Sequence, residues 1–305
     1  MKLVFMGTAD FAVPALEALS DSVALVVSQP DRPTGRRLQL RPSPVKSRAL
    51  ELGLPVETPA KSRAPEFIER IISLEADALL VAAYGQILSS AMLASTRRGG
   101  INLHGSLLPK YRGAAPIQRC IEHGDTVTGV TLMQMDVGMD TGDIVATTSI
   151  PIGPDETAGE LFDRLAAIAA SMAKEWMPRV VAGDYPRTAQ NPDMATHAPK
   201  VAKEEAQLDF FGDVQTEYRK FRAFTPSPGA FLLTSLGHVK ISRARLLLNA
   251  TVLPGRVVFN SGKAGIGFKD GAMELLEVQP EGKKRMSGQD FMNGARLKNG
   301  DCLVP

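Results

Sequence analysis

Four short apolar runs recur through residues 1–150: LVFM at 3–6, VALVVS at 23–28, ALLVAA at 78–83 and INL at 101–103, with helix-compatible segments between them. Each is too short for a helix and most are rich in β-branched residues. Such continuous runs suit strands buried on both faces, the habit of a parallel sheet covered by helices. Between the first two, Phe11, Pro14, Ala15, Leu16, Ala18 and Leu19 form a helical apolar stripe after the turn Gly7-Thr8-Ala9-Asp10, so one βαβ unit is complete by residue 28. The expected fold class is α/β, with a Rossmann-like, doubly wound, mainly parallel sheet.

Beyond His104 the chain enters a loop punctuated by Pro and Gly, followed by a predicted helix over 115–123. Two strand-like runs, VTGVTLMQM and DIVATTSI, can pair antiparallel around DVGMDTG. Residues 157–177 read as a long amphipathic helix, with Leu161, Leu165, Ile168, Met172 and Trp176 at intervals of three or four. A first domain is therefore expected over 1–182. Residues 183–205 lack apolar periodicity and carry Pro, Asn and Thr, as an extended linker does. From 206 to 305, the runs FLLTSL, HVKISRARLL, GRVVFN, AGIGF and AMELLEVQP are broken by Gly-rich turns, the pattern of a small β-barrel or sandwich.

A chain of 305 residues with 44% hydrophobic content can bury two such cores. It has no apolar stretch of about 18 residues, and its N-terminus runs straight into a strand, so neither a membrane span nor a signal peptide is expected. A cytoplasmic monomer is the expectation. Cys120 and Cys302 have no CxxC partner, and His104, His123, His197 and His238 follow no metal-ligand spacing, so the chemistry is expected to need no metal. GTADFAVP lacks the GxGxxG spacing of a dinucleotide site, which disfavours NAD. Charge is uneven: residues 1–185 carry 18 Lys/Arg against 21 Asp/Glu, and residues 206–305 carry 14 against 9, so any polyanionic partner would meet the C-terminal part.

The densest block of unusual residues runs from Asn102 to Pro116, just after the fourth predicted strand. Open parallel sheets bind ligands outside the carboxyl ends of their strands. Asn102 and His104 are two apart, so on an extended segment both side chains point the same way and can converge on one reacting atom.

NxHGSLLPKYRG followed by MDVGMDTGD resembles the signature of the 10-formyltetrahydrofolate-dependent formyltransferases and related hydrolases. The resemblance implies that Asn102, His104 and Asp140 are the catalytic group. It also implies that Ser106, Leu107, Leu108 and Pro109, together with Asp136, Val137, Gly138 and Met139, line the folate pocket. The chemistry suits these side chains. An amine attacks a formyl carbon, Asn102 can donate to the developing oxyanion, and His104 can assist electrostatically or move the proton toward the leaving nitrogen. Asp140 can fix the imidazole tautomer or hold a bridging water. No activated Ser or Cys is evident or required, and Ser106 reads as a turn residue.

This core cannot choose the acceptor amine; other segments bear on it. Five cations stand among the sixteen residues from Asp31 to Lys46, flanked by Pro and Gly, as suits a mobile arm that neutralises phosphates. The segment resembles the inserted loop of the family members that formylate methionyl-tRNA, with Arg36 at the position of the loop arginine and Arg37, Arg41 and Lys46 as further contacts. Many members carry a lysine pair where this chain has Leu38 and Gln39. RAFTPSPGAF at 222–231 and GKKRMSGQDFMNGARL at 282–297 resemble segments of the same enzymes' C-terminal domain, which implies an OB-like β-barrel that grips tRNA. Lys283, Lys284 and Arg285 are then phosphate contacts, and Phe231 and Phe291 core residues. The implied activity is formyl transfer from 10-formyltetrahydrofolate to initiator methionyl-tRNA for translation initiation. The alternatives are transfer to an amino sugar, hydrolysis of the formyl-folate, and a non-catalytic folate- or RNA-binding module.

Overall fold

A computed structural model describes residues 1–34, 39–247, 252–260 and 263–305. The chain divides into two compact units: Met1–Pro116 with Val127–Ile150 and Phe162–Ala198, and Ile117–Thr126 with Pro151–Leu161 and Pro199–Pro305.

The first unit begins with β1 (Leu3–Gly7), a 3-10 turn at Asp10–Ala12, α1 (Val13–Ala18) and β2 (Val23–Val27). Pro14 sits in the first turn of α1, where a missing N–H costs nothing. Next come the short strands β3 (Arg32–Thr34) and β4 (Gln39–Arg41), paired antiparallel, and then α2 (Pro44–Glu51). The Ser43 side chain caps α2 by accepting the Lys46 N–H at 3.0 Å. Lys46 thus belongs to a helix and not to a free arm. The chain continues through β5 (Val56–Glu57), α3 (Pro65–Ser73), β6 (Ala78–Ala82), α4 (Ser90–Leu93) and β7 (Gly100–His104). After β8 (Arg112–Gly113) and α5 (Pro116–Glu122) come β9 (Val127–Gln134), β10 (Ile144–Pro151), α6 (Ala158–Ala182) and β11 (His197–Ala198).

Seven strands form one sheet in the order β10–β9–β7–β6–β1–β2–β5. The five from β7 to β5 are parallel neighbours, and β9 joins β7 antiparallel. In chain order the parallel strands lie 3-2-1-4-5, the doubly wound arrangement, with its switch point between β1 and β6. Val4, Met6, Leu25, Val27, Leu79 and Val81 pack on one side with Phe67 and Ile71 of α3. The alternate residues Leu3, Phe5, Val26 and Leu80 are also fully buried, which is why these strands read as unbroken apolar runs.

The helix α6 continues through Pro178 to Ala182 instead of ending at Met177. Met177 and Val180 are both fully buried, so burial outweighs the one backbone hydrogen bond that the proline forfeits. The segment after α6 is extended, and it is hydrogen-bonded along the first unit: Thr188 bridges Ile144, and β11 lies parallel to β8.

The second unit contains α7 (Val214–Ala223), β12 (Phe231–Thr234), β13 (Gly237–Leu247), β14 (Val257–Asn260), β15 (Lys263–Gly267), β16 (Ala272–Pro280), β17 (Met286–Ser287) and α8 (Gly288–Gly294). The strands form an antiparallel sheet in the order β12–β13–β16–β15–β14, with β17 on β16. Phe221, Ile241, Ile266, Phe268, Met273 and Val278 form the centre of its core. A register shift between Ile241 and Ala244 bends β13.

The start of α6 is fixed by a reciprocal cap: Thr157 Oγ1 accepts the Glu160 N–H at 3.4 Å, and Glu160 Oε2 accepts the Thr157 N–H at 2.9 Å. The Thr157 N–H, and then its hydroxyl, hold the Glu160 carboxyl below its ordinary range. A depressed folded value stabilises the protein above the ordinary glutamate range, and that stability is lost as pH falls through the folded value. Glu160→Gln is therefore expected to lower the melting temperature at neutral pH and to flatten its decline below about pH 4.5, measured by thermal melts across an acid series.

Candidate active site

β7 delivers the first two side chains. Asn102 lies opposite Met133 and His104 opposite Thr131 in the ladder with β9, and they are 8% and 6% exposed. His104 Nε2 is 2.9 Å from the carbonyl of Tyr111. A carbonyl can only accept, so Nε2 carries the hydrogen and the neutral ring leaves Nδ1 bare. Nδ1 faces Asp140 Oδ2 at 3.7 Å, too far for a hydrogen bond but close enough for a carboxylate to act on a proton placed there. The Tyr111 carbonyl, and not Asp140, thus fixes the tautomer. Tyr111 and Asp140 both have left-handed backbone, φ 63° and 55°, which turns the two loops toward each other. Asp140 Oδ2 also accepts the Gly113 N–H at 2.8 Å and so joins the loops.

The loop after β7 is pinned by Thr131. Its hydroxyl donates to the Ser106 carbonyl at 2.7 Å and accepts the Leu108 N–H at 3.0 Å. The fully buried Ser106 hydroxyl donates to the Lys110 carbonyl, a turn-closing bond that leaves no nucleophile. Leu108 is buried, and Leu107 and Pro109 are half-buried. In the loop after β9, Asp136 Oδ1 accepts from the Gly138 N–H at 3.0 Å and from the Thr141 hydroxyl at 2.7 Å, so Asp136 closes the turn. Val137 and Met139 are 74% and 61% exposed, apolar side chains held in solvent beside Asp140. Gly142 is required sterically, because a Cβ there would strike the Gln134 carbonyl.

A cavity of about 390 Å³ opens at the carboxyl ends of β1, β2 and β6, lined by Thr8, Asp10, Gln29, Arg32, Arg41 and Tyr84 among others. It occupies the switch point of the sheet, where a ligand crevice belongs. Burial pushes the Tyr84 phenol up to about 12, which keeps it neutral. Nothing in the local sequence around Thr8, Gln29 and Tyr84 marks this cavity, because its walls come from separate segments of the chain.

The cations proposed from sequence fare differently. Arg36 and Arg37 lie outside the described residues. Arg41 is exposed on β4, whereas Lys46 Nζ is 2.8 Å from Asp31 and is already paired. Lys283, Lys284 and Arg285 are exposed in the turn from β16 to β17, with Arg285 at 3.5 Å from Glu277. Phe291 is in the core, and Phe231 is half-buried and stacks on His238 at 4.4 Å. Neither cysteine forms a disulfide, Cys120 being buried and Cys302 exposed. Among the described residues, no helix is long and apolar enough to cross a membrane.

An amide, an imidazole with an open nitrogen and a facing carboxylate are groups suited to proton transfer and to stabilising a developing oxyanion. The chain belongs to the formyl transferase family: residues 1–181 match the formyl transferase domain, and residues 200–296 match the formyl transferase C-terminal domain. It is 45% identical to the methionyl-tRNA formyltransferase of Symbiobacterium thermophilum, covering 100% of this chain and 96% of that protein. The enzyme of the same name from Geobacter metallireducens is 43% identical over 98% of this chain and 97% of its own length. Among solved structures, an N-formyltransferase from Helicobacter canadensis, in complex with folinic acid and dTDP-3-aminofucose, shares the fold with a TM-score of 0.68 at 20% identity, covering 90% of this chain and 98% of that one.

Gly142→Ala is expected to lower the melting temperature, because the added Cβ meets backbone that has to shift, and to lower turnover by about 10- to 100-fold, since displacement of the Asp140 loop by even ~1 Å carries such a cost. Steady-state kinetics alongside a thermal melt check it.

Proposed function

We propose that this chain transfers the formyl group of 10-formyltetrahydrofolate to the α-amino group of initiator methionyl-tRNA, giving formylmethionyl-tRNA for translation initiation, as a cytoplasmic monomer. The observation that carries this reading is similarity to methionyl-tRNA formyltransferases along the whole chain, 45% identity over 100% of it. The sugar-directed relative in the solved structures shares only the fold, at 20% identity. In this reading residues 1–182 carry the chemistry, 183–205 link, and 206–305 grip the tRNA.

The residues present fit a folate. Exposed Val137 and Met139 offer apolar surface to its ring system, and the backbone over Ser106–Pro109, with the turn Asp136–Gly138, shapes the wall. The bound co-substrate supplies an electrophilic formyl carbon. Asn102 donates an N–H to the formyl oxygen as negative charge builds on it. His104 Nδ1, bare in the neutral ring, takes the proton from the attacking amine and returns it to the departing nitrogen, with Asp140 opposite to stabilise the imidazolium in between. A free α-amino group titrates near about 8 and the adjacent ester lowers that value, so little general-base power is needed at neutral pH and positioning does most of the work. Arg36, Arg37, Arg41 and Lys46 engage the acceptor stem, with Lys46 exchanging Asp31 for a phosphate. Lys283, Lys284 and Arg285 hold further phosphates.

Formyl transfer to methionyl-tRNA, measured beside a free amino sugar and buffer alone, tests the reading; absence of transfer to tRNA would sink it. Asn102→Ala is expected to lower kcat by about 100- to 1,000-fold with little change in tRNA affinity. Arg36→Ala is expected to raise KM for methionyl-tRNA. Replacing Lys283, Lys284 and Arg285 together should flatten the salt dependence of tRNA binding by up to about three phosphate contacts' worth of slope, and an unchanged slope moves the footprint elsewhere.

A further inference from the structure

The extended segment that follows α6 is fastened to both loops of the site. Arg187 Nε lies 2.9 Å from Asp143 Oδ2, and Thr188 exchanges both backbone hydrogen bonds with Ile144, at 2.8 and 2.9 Å. Farther along, the Thr196 hydroxyl accepts the Tyr111 N–H at 2.9 Å, and its carbonyl accepts the Arg112 N–H at 2.8 Å. Between these anchors stands Gln190.

The Gln190 amide spans the two loops. Its Oε1 accepts from Arg112 Nε and Nη2 at 3.1 and 2.7 Å, and its Nε2 donates to the carbonyls of Asp140 and Gly142 at 2.8 and 2.7 Å. Two donated and two accepted bonds exhaust the amide's capacity. A guanidinium only donates and carbonyls only accept, so the amide has one permitted orientation. Arg112 is 8% exposed, and a cation so buried needs an acceptor of this kind. Asp140 holds left-handed backbone without being glycine, a conformation that persists only where surrounding bonds impose it. The bond to its carbonyl is one of them.

We propose that Gln190 is a positioning residue for formyl transfer, locking the backbone of Asp140 and Gly142 to Arg112 so that the Asp140 carboxylate stays opposite His104 Nδ1. The proposal rests on the catalytic reading of Asp140 given above. It makes the extended segment after α6 part of the catalytic apparatus.

A double-mutant cycle with Asp140→Ala tests it on the full chain. Gln190→Leu keeps the bulk and removes all four bonds; Gln190→Glu keeps the acceptor for Arg112 and turns an oxygen toward the two carbonyls. Each is expected to lower kcat for methionyl-tRNA by about 10- to 100-fold, with KM for the tRNA within about twofold and a cooperative melt retained. In the Asp140→Ala background neither change should reduce single-turnover rates further, because the group being positioned is gone. Losses that add fully to that of Asp140→Ala would overturn the proposal, as would unchanged turnover in both Gln190 variants. If Gln190→Leu does not fold, Gln190→Glu decides the cycle; if neither folds, the residue is structural and the proposal fails. Unchanged turnover in Asp140→Ala alone is a distinct result that removes the catalytic role of Asp140 itself.

Discussion

The antiparallel pairing of β7 with β9 sets His104 opposite Thr131 and Asn102 opposite Met133, and the site depends on that register. Thr131 uses its hydroxyl twice to tie down the loop that follows β7. The same strand β9 leads, past Gln134, into the loop that carries Asp140. β7 thus supplies Asn102 and His104, and the loop that leaves the antiparallel neighbour β9 beside Gly100 brings Asp140 back to within 3.7 Å of His104. A one-residue slip would turn Asn102 and His104 to the opposite face together.

Around that edge, nearly every polar group is spent on holding shape. Ser106 closes one turn and Asp136 the other, while Gln190 and the buried Arg112 satisfy each other and two carbonyls. Unpaired groups at such depth would cost about 1–3 kcal/mol each, so the network is rigid for the same reason that it is complete. Among the described residues, the bare Nδ1 of His104 and the exposed side chains of Val137 and Met139 stand outside this network.

The second unit follows different logic. Its antiparallel sheet packs on a core of Phe, Ile, Val and Met; Arg219, Lys220 and Arg222 lie on α7 and Lys240, Arg243 and Arg245 on β13, while Lys283, Lys284 and Arg285 stand in the turn between β16 and β17. Exposed turn cations contribute little to folding, and of these Arg285 lies 3.5 Å from Glu277, while Lys46, drawn into α2, pairs with Asp31. The cavity at the switch point of the first unit carries two cations, Arg32 and Arg41.

Much of this protein was legible in its sequence. Runs buried on both faces announce themselves as strands, and a strand followed by Asn-x-His places two side chains on one side whatever surrounds them. The antiparallel sheet of the second unit followed from turn spacing in the same way. Local sequence was weaker where burial overrode propensity, as at Pro178 inside α6, and where a polar segment without periodicity read as a linker although its hydrogen bonds fasten it to the first unit. Sequence by itself determined the strands and much of the core, because those depend on periodicity, while Asn102, His104 and Asp140 were singled out by their resemblance to a family signature. Only the tertiary structure decided which nitrogen of His104 is free, that Lys46 is paired, and that Gln190 joins Arg112 to the Asp140 loop. Those outcomes depend on hydrogen-bond partners that lie up to 78 residues apart in the chain, and no local pattern encodes such a partner.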